Sequence, residues 1–176
     1  MTESQSEKAD LSRIRAIALD VDGVLTDGGF WWGENGEELK RFCFADVMGL
    51  SLARRAGFLL ALVSGEDSPL LDRYAEKMLI KHVTKGSRDK AGALRELALR
   101  TEIALEHFCY MGDDINDIPA MRIAGVSFAP ANANALVLSS VRFVTKNSGG
   151  NGAVREMVDA LLAAQGVNPL ETLTKQ

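Results

Sequence analysis

The sequence predicts an α/β fold: a Rossmann-like parallel sheet flanked by helices. Three observations carry that reading. Short apolar runs alternate with helix-period stretches along the 176 residues, as repeated βαβ units require. One run, residues 58–63, is apolar at every position, the pattern of a strand buried on both faces. The chain is also of single-domain size, with 47% hydrophobic and 25% charged residues. A chain of about 150 residues buries roughly 70% of its unfolded surface, so it needs no metal or disulfide to fold.

The elements follow in order. Residues 1–10 are polar and read as a flexible leader, residues 11–166 as one domain, and residues 167–176 as a loose tail. Residues 14–21 form the first strand-like run, and 58–63, 79–83, 108–111, 125–128 and 142–145 supply the others. A helix over 46–56 closes at Gly57, the residue type that most readily ends a helix. Ser68 and Pro69 place an N-cap and a first-turn proline before a helix over 70–78. Residues 89–100 and 153–164, rich in Ala, Leu, Glu and Arg, give two more helices. One segment breaks the alternation. Asn35-Gly36 signals a two-residue turn, so residues 28–42 read as a projecting β-hairpin carrying both tryptophans, Trp31 and Trp32. Adjacent strand residues point to opposite faces, and a subunit interface would house both rings.

Bulk composition removes several classes of function. A net charge of −4 argues against a general nucleic-acid binder. No apolar run approaches the roughly 20 residues of a membrane-spanning helix, and the N-terminal stretch has no apolar signal-peptide core. Cys43 and Cys109 lack a Cys-x-x-Cys spacing and read as reduced thiols, which suits the cytoplasm.

In parallel sheets ligands bind beyond the carboxyl ends of the strands, so the loops after the apolar runs hold the candidates. After the first strand comes Asp20-Val21-Asp22-Gly23. After the fourth comes Gly112-Asp113-Asp114-Ile115-Asn116-Asp117. Like charges packed at two strand ends repel unless a cation joins them, and Mg²⁺ suits an all-oxygen set that leaves room for waters and phosphate oxygens. Ser64-Gly65, after the second strand, offers a hydroxyl and a flexible backbone amide for a phosphate oxygen. Lys90 stands at a helix start, where the dipole prefers anions; an anionic substrate or pairing with Asp117 would account for it.

In order, Asp-x-Asp-Gly-Val, Ser-Gly, Lys and Gly-Asp-Asp-x-Asn-Asp resemble the four motifs of the haloacid dehalogenase superfamily, over about residues 14–162. The resemblance extends to its capless sugar-acid phosphatases, which act on 3-deoxy-D-manno-octulosonate 8-phosphate and nonulosonate 9-phosphates. Supporting residues are Thr26-Asp27-Gly28, the aromatic hairpin, Lys40-x-Phe42, Asp46-x-x-Gly49 and the segment from Gly149 to Glu156. It implies Asp20 as nucleophile forming an aspartyl-phosphate, and Asp22 as the acid and then the base. It implies Mg²⁺ on the Asp20 carboxylate, the Asp22 carbonyl and Asp113. Ser64, Gly65 and Lys90 would neutralise phosphate oxygens, with Asn116 and Asp117 positioning Lys90 and the metal ligands.

The spacing leaves no room for a lid domain: the 26 positions from Ser64 to Lys90 are nearly filled by one helix and one strand. The resemblance accordingly implies a homotetramer whose neighbouring subunit helps close the site, and Arg155 is a candidate to reach across that boundary or to pair with Glu156 or Asp159. Octulosonate 8-phosphate phosphatases usually carry Thr-Gly-Arg and a second arginine eight residues further on; Glu66 and Tyr74 stand at those positions here. Glu66 and Lys77 match the nonulosonate pattern, which also has an arginine at the Tyr74 position. Glu66 is therefore expected either to accept sugar hydroxyls, with Arg73 or Lys77 reading the acid, or to pair with Arg73. Asp46 joins these as a substrate-binding candidate. The alternatives to a sugar-acid phosphatase are a phosphatase of the same superfamily for another small metabolite, or a non-catalytic oligomerisation or regulatory module.

Overall fold

A six-stranded sheet, parallel throughout, organises the molecule. The computed structural model describes residues 3–174. Along the chain run α1 (Glu3–Ser12), β1 (Ala16–Leu19), the hairpin strands β2 (Trp31–Trp32) and β3 (Glu38–Leu39), α2 (Phe44–Arg55), β4 (Leu59–Val63), α3 (Pro69–Met78) and β5 (His82–Thr84). Then come α4 (Lys90–Thr101), β6 (Phe108–Met111), α5 (Ile118–Ile123), β7 (Val126–Ala129), α6 (Ala135–Ser140), β8 (Phe143–Val144), α7 (Ala153–Ala164) and α8 (Pro169–Thr174). The sheet order is β5-β4-β1-β6-β7-β8. The chain builds outward from β1 on one side, then returns to build the other side from β6. The crevice beyond the carboxyl ends of β1 and β6 is thus the topological switch point, where such sheets bind ligands.

The side-chain period of two sorts each central strand between two cores. Ile17 and Leu19 join Leu60, Leu62, Cys109 and Met111 beneath α2, α3 and α7. Ala16 and Ala18 join Ala61, Val63, Phe108 and Tyr110 beneath α4, α5 and α6. The helix signals act as their chemistry dictates. Ser68 accepts a hydrogen bond from Leu70 N at 3.3 Å, with Pro69 opening α3. Gly57, at φ +94°, turns the chain out of α2 in the left-handed region. Among the described residues no separate domain is inserted.

The differences from the sequence expectations are local. The polar leader, read as flexible, is helical from Glu3, and α8 occupies most of the stretch read as a loose tail, with Thr172 buried against the body. The short helices α5 and α6 had no periodic signature long enough to stand out. The hairpin exists, but its turn is not the two-residue Asn35-Gly36 type. Gly36 N bonds to Gly33 O at 3.0 Å and Gly33 N to Glu37 O at 2.8 Å, so Glu34 and Asn35 form the bend and only Gly36 takes positive φ, at +82°. That is the three-residue turn in which glycine supplies a bulge after the bend. Trp31 and Trp32 are 55% and 72% exposed, because the two-stranded ribbon is covered on neither face.

Candidate active site

The first acidic loop is built as an extension of β1. Asp20 N bonds to Met111 O at 2.9 Å, continuing the ladder one residue past the strand. The chain then turns tightly, with the amides of Val24, Leu25 and Thr26 all directed at Val21 O. Thr26 Oγ1 accepts from Gly23 N at 3.2 Å and from Gly28 N at 3.3 Å. Gly23 has φ +84°, and a Cβ there would lie 2.0 Å from Asp113 Oδ2. Only a bare backbone lets the second acidic loop close over the first. The glycine-rich segment braces the same turn: Gly150 N bonds to Val24 O at 2.9 Å, and a Cβ on Gly149 would sit 1.7 Å from Gly23 O.

Lys90 joins the two loops. Its ammonium lies 2.9 Å from Asp20 Oδ2 and 2.8 Å from Asp117 Oδ1, with the side chain buried. Its position at the start of α4 is explained by this pairing with Asp117. Tyr110 Oη donates to Asp117 Oδ1 at 2.8 Å, and the amides of Asp113 and Asp114 donate to Oδ2 at 3.1 and 3.2 Å. Asp117 is thus a fully committed buried anion that fixes Lys90 and shapes the 112–117 loop. Burial opposes the Lys90 charge, but Asp20 and Asp117 more than compensate and hold its pKa above the ordinary lysine value.

Asp20, Asp113 and Asp117 each place a carboxylate oxygen within 4.8 Å of the others. Asp117 has no oxygen to spare, which leaves Asp20 and Asp113 as the carboxylates open to a cation. Burial, reinforced by the Asp117 charge and partly offset by Lys90, pushes Asp20 up to about 7. The same balance raises Asp113 to about 6. Two carboxylates held together at this cost, over a glycine that leaves them room, form an all-oxygen donor set that suits a hard divalent ion.

The cleft over these groups has a volume of about 280 Å³, and its walls include Asp22, Gly28, Ser64, Gly65, Glu66, Asp114 and Asn116. Ser64 is buried, and its Oγ accepts from Glu66 N at 3.0 Å. Asn116 is exposed on the rim. Glu66 does not pair with Arg73. Its Oε2 meets Lys40 Nζ at 2.6 Å, and the same ammonium reaches Asp22 Oδ1 at 2.8 Å.

Other candidates lie elsewhere. Asp46 is wholly buried and accepts from Gly152 N at 3.1 Å and Arg155 N at 2.9 Å, so it caps α7 instead of lining the cleft. Arg155 pairs with Asp159 through Nε at 2.9 Å, the structural alternative its sequence neighbours offered. Arg73 lines a separate groove of about 620 Å³ between the hairpin tip and the start of α3, with Glu66 shared between groove and cleft. Lys77 lies 5.4 Å from the Phe44 ring centre, outside the cleft. Tyr74 stacks on Phe42, centroids 4.2 Å apart. Two residues at the site were not among the sequence candidates. Tyr110 carried a signal, since a tyrosine in a fully buried strand must find a partner for its hydroxyl. Lys40 carried a weaker one: it shares a face with Glu38, two residues before it.

A buried aspartate pair, a bridging lysine and a hydroxyl at the switch point of a lidless parallel sheet define a class, and comparison with known proteins agrees. The chain belongs to the haloacid dehalogenase-like hydrolases, whose family model matches residues 70–157. Its similarity extends to a particular set within them. The 3-deoxy-D-manno-octulosonate 8-phosphate phosphatase of Escherichia coli (strain K12) is 40% identical over 158 residues, 90% of this chain and 84% of that one. A crystal structure of the Moraxella catarrhalis phosphatase of the same name, in complex with magnesium, phosphate and a 3-deoxy-D-manno-octulosonate molecule, superposes with a TM-score of 0.92 at 34% identity. That match covers 98% of this chain and 99% of the other. The cobalt-bound Haemophilus influenzae enzyme gives a TM-score of 0.86 at 39% identity, covering 89% and 92%.

Proposed function

We propose that this chain is a Mg²⁺-dependent phosphatase that hydrolyses the phosphomonoester of a 2-keto-3-deoxy sugar acid. The observation that carries the reading is the buried Asp20–Lys90–Asp117 array beside Asp22 and Asp113 at the switch point. In the first displacement an Asp20 oxygen bonds to phosphorus while the ester P–O bond breaks, and Asp22 gives its proton to the departing alkoxide. In the second, Asp22 takes a proton from water as the water oxygen bonds to phosphorus, and the Asp20–phosphorus bond breaks to release phosphate. Lys90 and Ser64 hold charge on the phosphate oxygens, and Asp117 keeps Lys90 in place. Mg²⁺, held by Asp20, Asp113 and the Asp22 carbonyl, supplies positive charge opposite those oxygens when bound.

The similarity to octulosonate 8-phosphate phosphatases supports that substrate. Glu66 and Lys77, which match the nonulosonate pattern, favour a nonulosonate 9-phosphate as the second reading, whereas Tyr74 departs from both patterns. The exposed Trp31, Trp32 and Leu39 support a homotetramer in which a neighbouring subunit covers the hairpin and completes the cleft wall. The two free cysteines support a cytoplasmic setting, and no helix among the described residues is long and apolar enough to cross a membrane. Phosphate release in Mg²⁺ across octulosonate 8-phosphate, nonulosonate 9-phosphates and hexose phosphates tests the reading. A preference of about 100-fold or more for one sugar acid is expected. Uniformly poor turnover, or Mg²⁺-dependent activity surviving in Asp20→Asn, would overturn it.

A further inference from the structure

Lys40 has a placement that the chemistry above does not explain. It follows β3 directly, yet its side chain is only 5% exposed. Its three N–H groups have three carboxylates to meet: Glu66 at 2.6 Å, Asp22 at 2.8 Å and Glu38 at 3.4 Å. An ammonium is withdrawn from water at a cost that only full pairing offsets. A hairpin that served solely as a protein contact would have no use for one aimed inward. Lys40 is absent from the cleft wall. It lines a small recess with Phe42, Leu70 and Leu71 that shares Asp22, Ser64 and Glu66 with the cleft, so it approaches Asp22 from the side.

Asp22 needs such a hold. The terminal torsion of an aspartate is broad and roughly two-fold, so its carboxyl turns easily unless something fixes it. Among the described residues Lys40 is the ion-pair partner of Asp22 Oδ1, and Oδ2 has none. We infer that Lys40 is a positioning residue for proton transfer: by occupying Asp22 Oδ1 it leaves Oδ2 as the oxygen presented to the leaving group. The inference rests on the phosphatase reading. It also gives Glu66 a second task, because the carboxylate at the sugar-facing wall and the proton-transfer carboxylate share one ammonium.

The test is the dependence of kcat/KM on leaving-group acidity. This constant reports the steps up to phosphoryl transfer, in which Asp22 acts as acid. Wild type, Lys40→Met, Lys40→Gln and Lys40→Arg are assayed in Mg²⁺ at the pH optimum of each. The substrates are a series of aryl phosphates of graded phenol acidity, with the sugar-acid phosphate as the least acidic member. Thermal unfolding selects the variants that fold. A well-placed acid contributes about 100-fold or more. Lys40→Met or Lys40→Gln should therefore lose at least about 100-fold on the sugar-acid phosphate and less than about 3-fold on the most acidic phenol, a steeper dependence than wild type, with Lys40→Arg restoring part of it. A folded variant with the wild-type dependence, whether its rates are unchanged or lowered equally, overturns the inference. A wild type inert on the whole series overturns the phosphatase reading itself.

Discussion

Replacing Asp117 with asparagine tests how Lys90 and the loop after β6 are held together. The side chain is fully buried and accepts four hydrogen bonds, from Lys90 and Tyr110 on one oxygen and from the amides of Asp113 and Asp114 on the other. An amide has one acceptor oxygen, so its NH₂ must face donors whichever way it lies. The cheaper orientation keeps the oxygen toward Lys90 and leaves the two backbone amides unpaired, at about 1–3 kcal/mol each. Relief of the repulsion between Asp117 and Asp20 returns part of that. The expected net loss is about 2–5 kcal/mol, a large share of a typical 5–15 kcal/mol stability. Urea unfolding in EDTA at pH 7, wild type against Asp117→Asn, measures it. A midpoint shift worth under about 1 kcal/mol at unchanged slope would refute the account of Asp117 as the fully engaged anion of the site.

In metal-free protein burial pushes Asp20 and Asp113 up to about 7 and about 6, above their unfolded values, so their protonated forms favour the fold and this contribution is lost as pH rises from about 4 to 7. Protons therefore compete with Mg²⁺ at low pH: the Mg²⁺-induced rise in Tm should be clearly larger at pH 8 than at pH 5, and equal shifts would sink the assignment of these two as ligands. Tyr74 Oη is buried without a partner among the described residues, so Tyr74→Phe should leave stability unchanged or raise it by up to about 1 kcal/mol in urea unfolding, and a loss above 1 kcal/mol would contradict that. Gly149→Ala would drive a methyl into Gly23 O and should cost more than about 2 kcal/mol together with most activity, whereas Gly36→Ala, with open space around it but positive φ, should cost only about 1 kcal/mol and leave activity intact.

Much of this site was legible because its chemistry demands rare residue combinations at strand ends. Asp20, Asp22, Ser64, Lys90 and Asp113 come together where the alternation of runs put the carboxyl edge of the sheet. The strand sorting was equally readable, since a period of two in a buried run leaves little freedom. What escaped depends on long-range approach. Asp46 looks like a site residue in sequence, yet it spends its oxygens on the amides of a helix about 100 positions away. Lys40 counts in sequence only toward the resemblance, as Lys40-x-Phe42, and its task shows only when the fold brings Asp22 and Glu66 to it. The hairpin turn was misread because Asn-Gly serves both two- and three-residue turns, and the choice rests on strand register, which no dipeptide encodes.

The brace that Gly149 and Gly150 place against the turn after Asp20 also has a history in time. The loop after Asp20 is synthesised before its backbone partner, which follows roughly 125 residues later. At about 5–20 residues per second, that is an interval of roughly 6–25 s. Until it ends, the loop has its carboxylates but not the backbone against which it closes. For that interval the turn after Asp20 stands unbraced, and its closed geometry arrives only with the glycine segment.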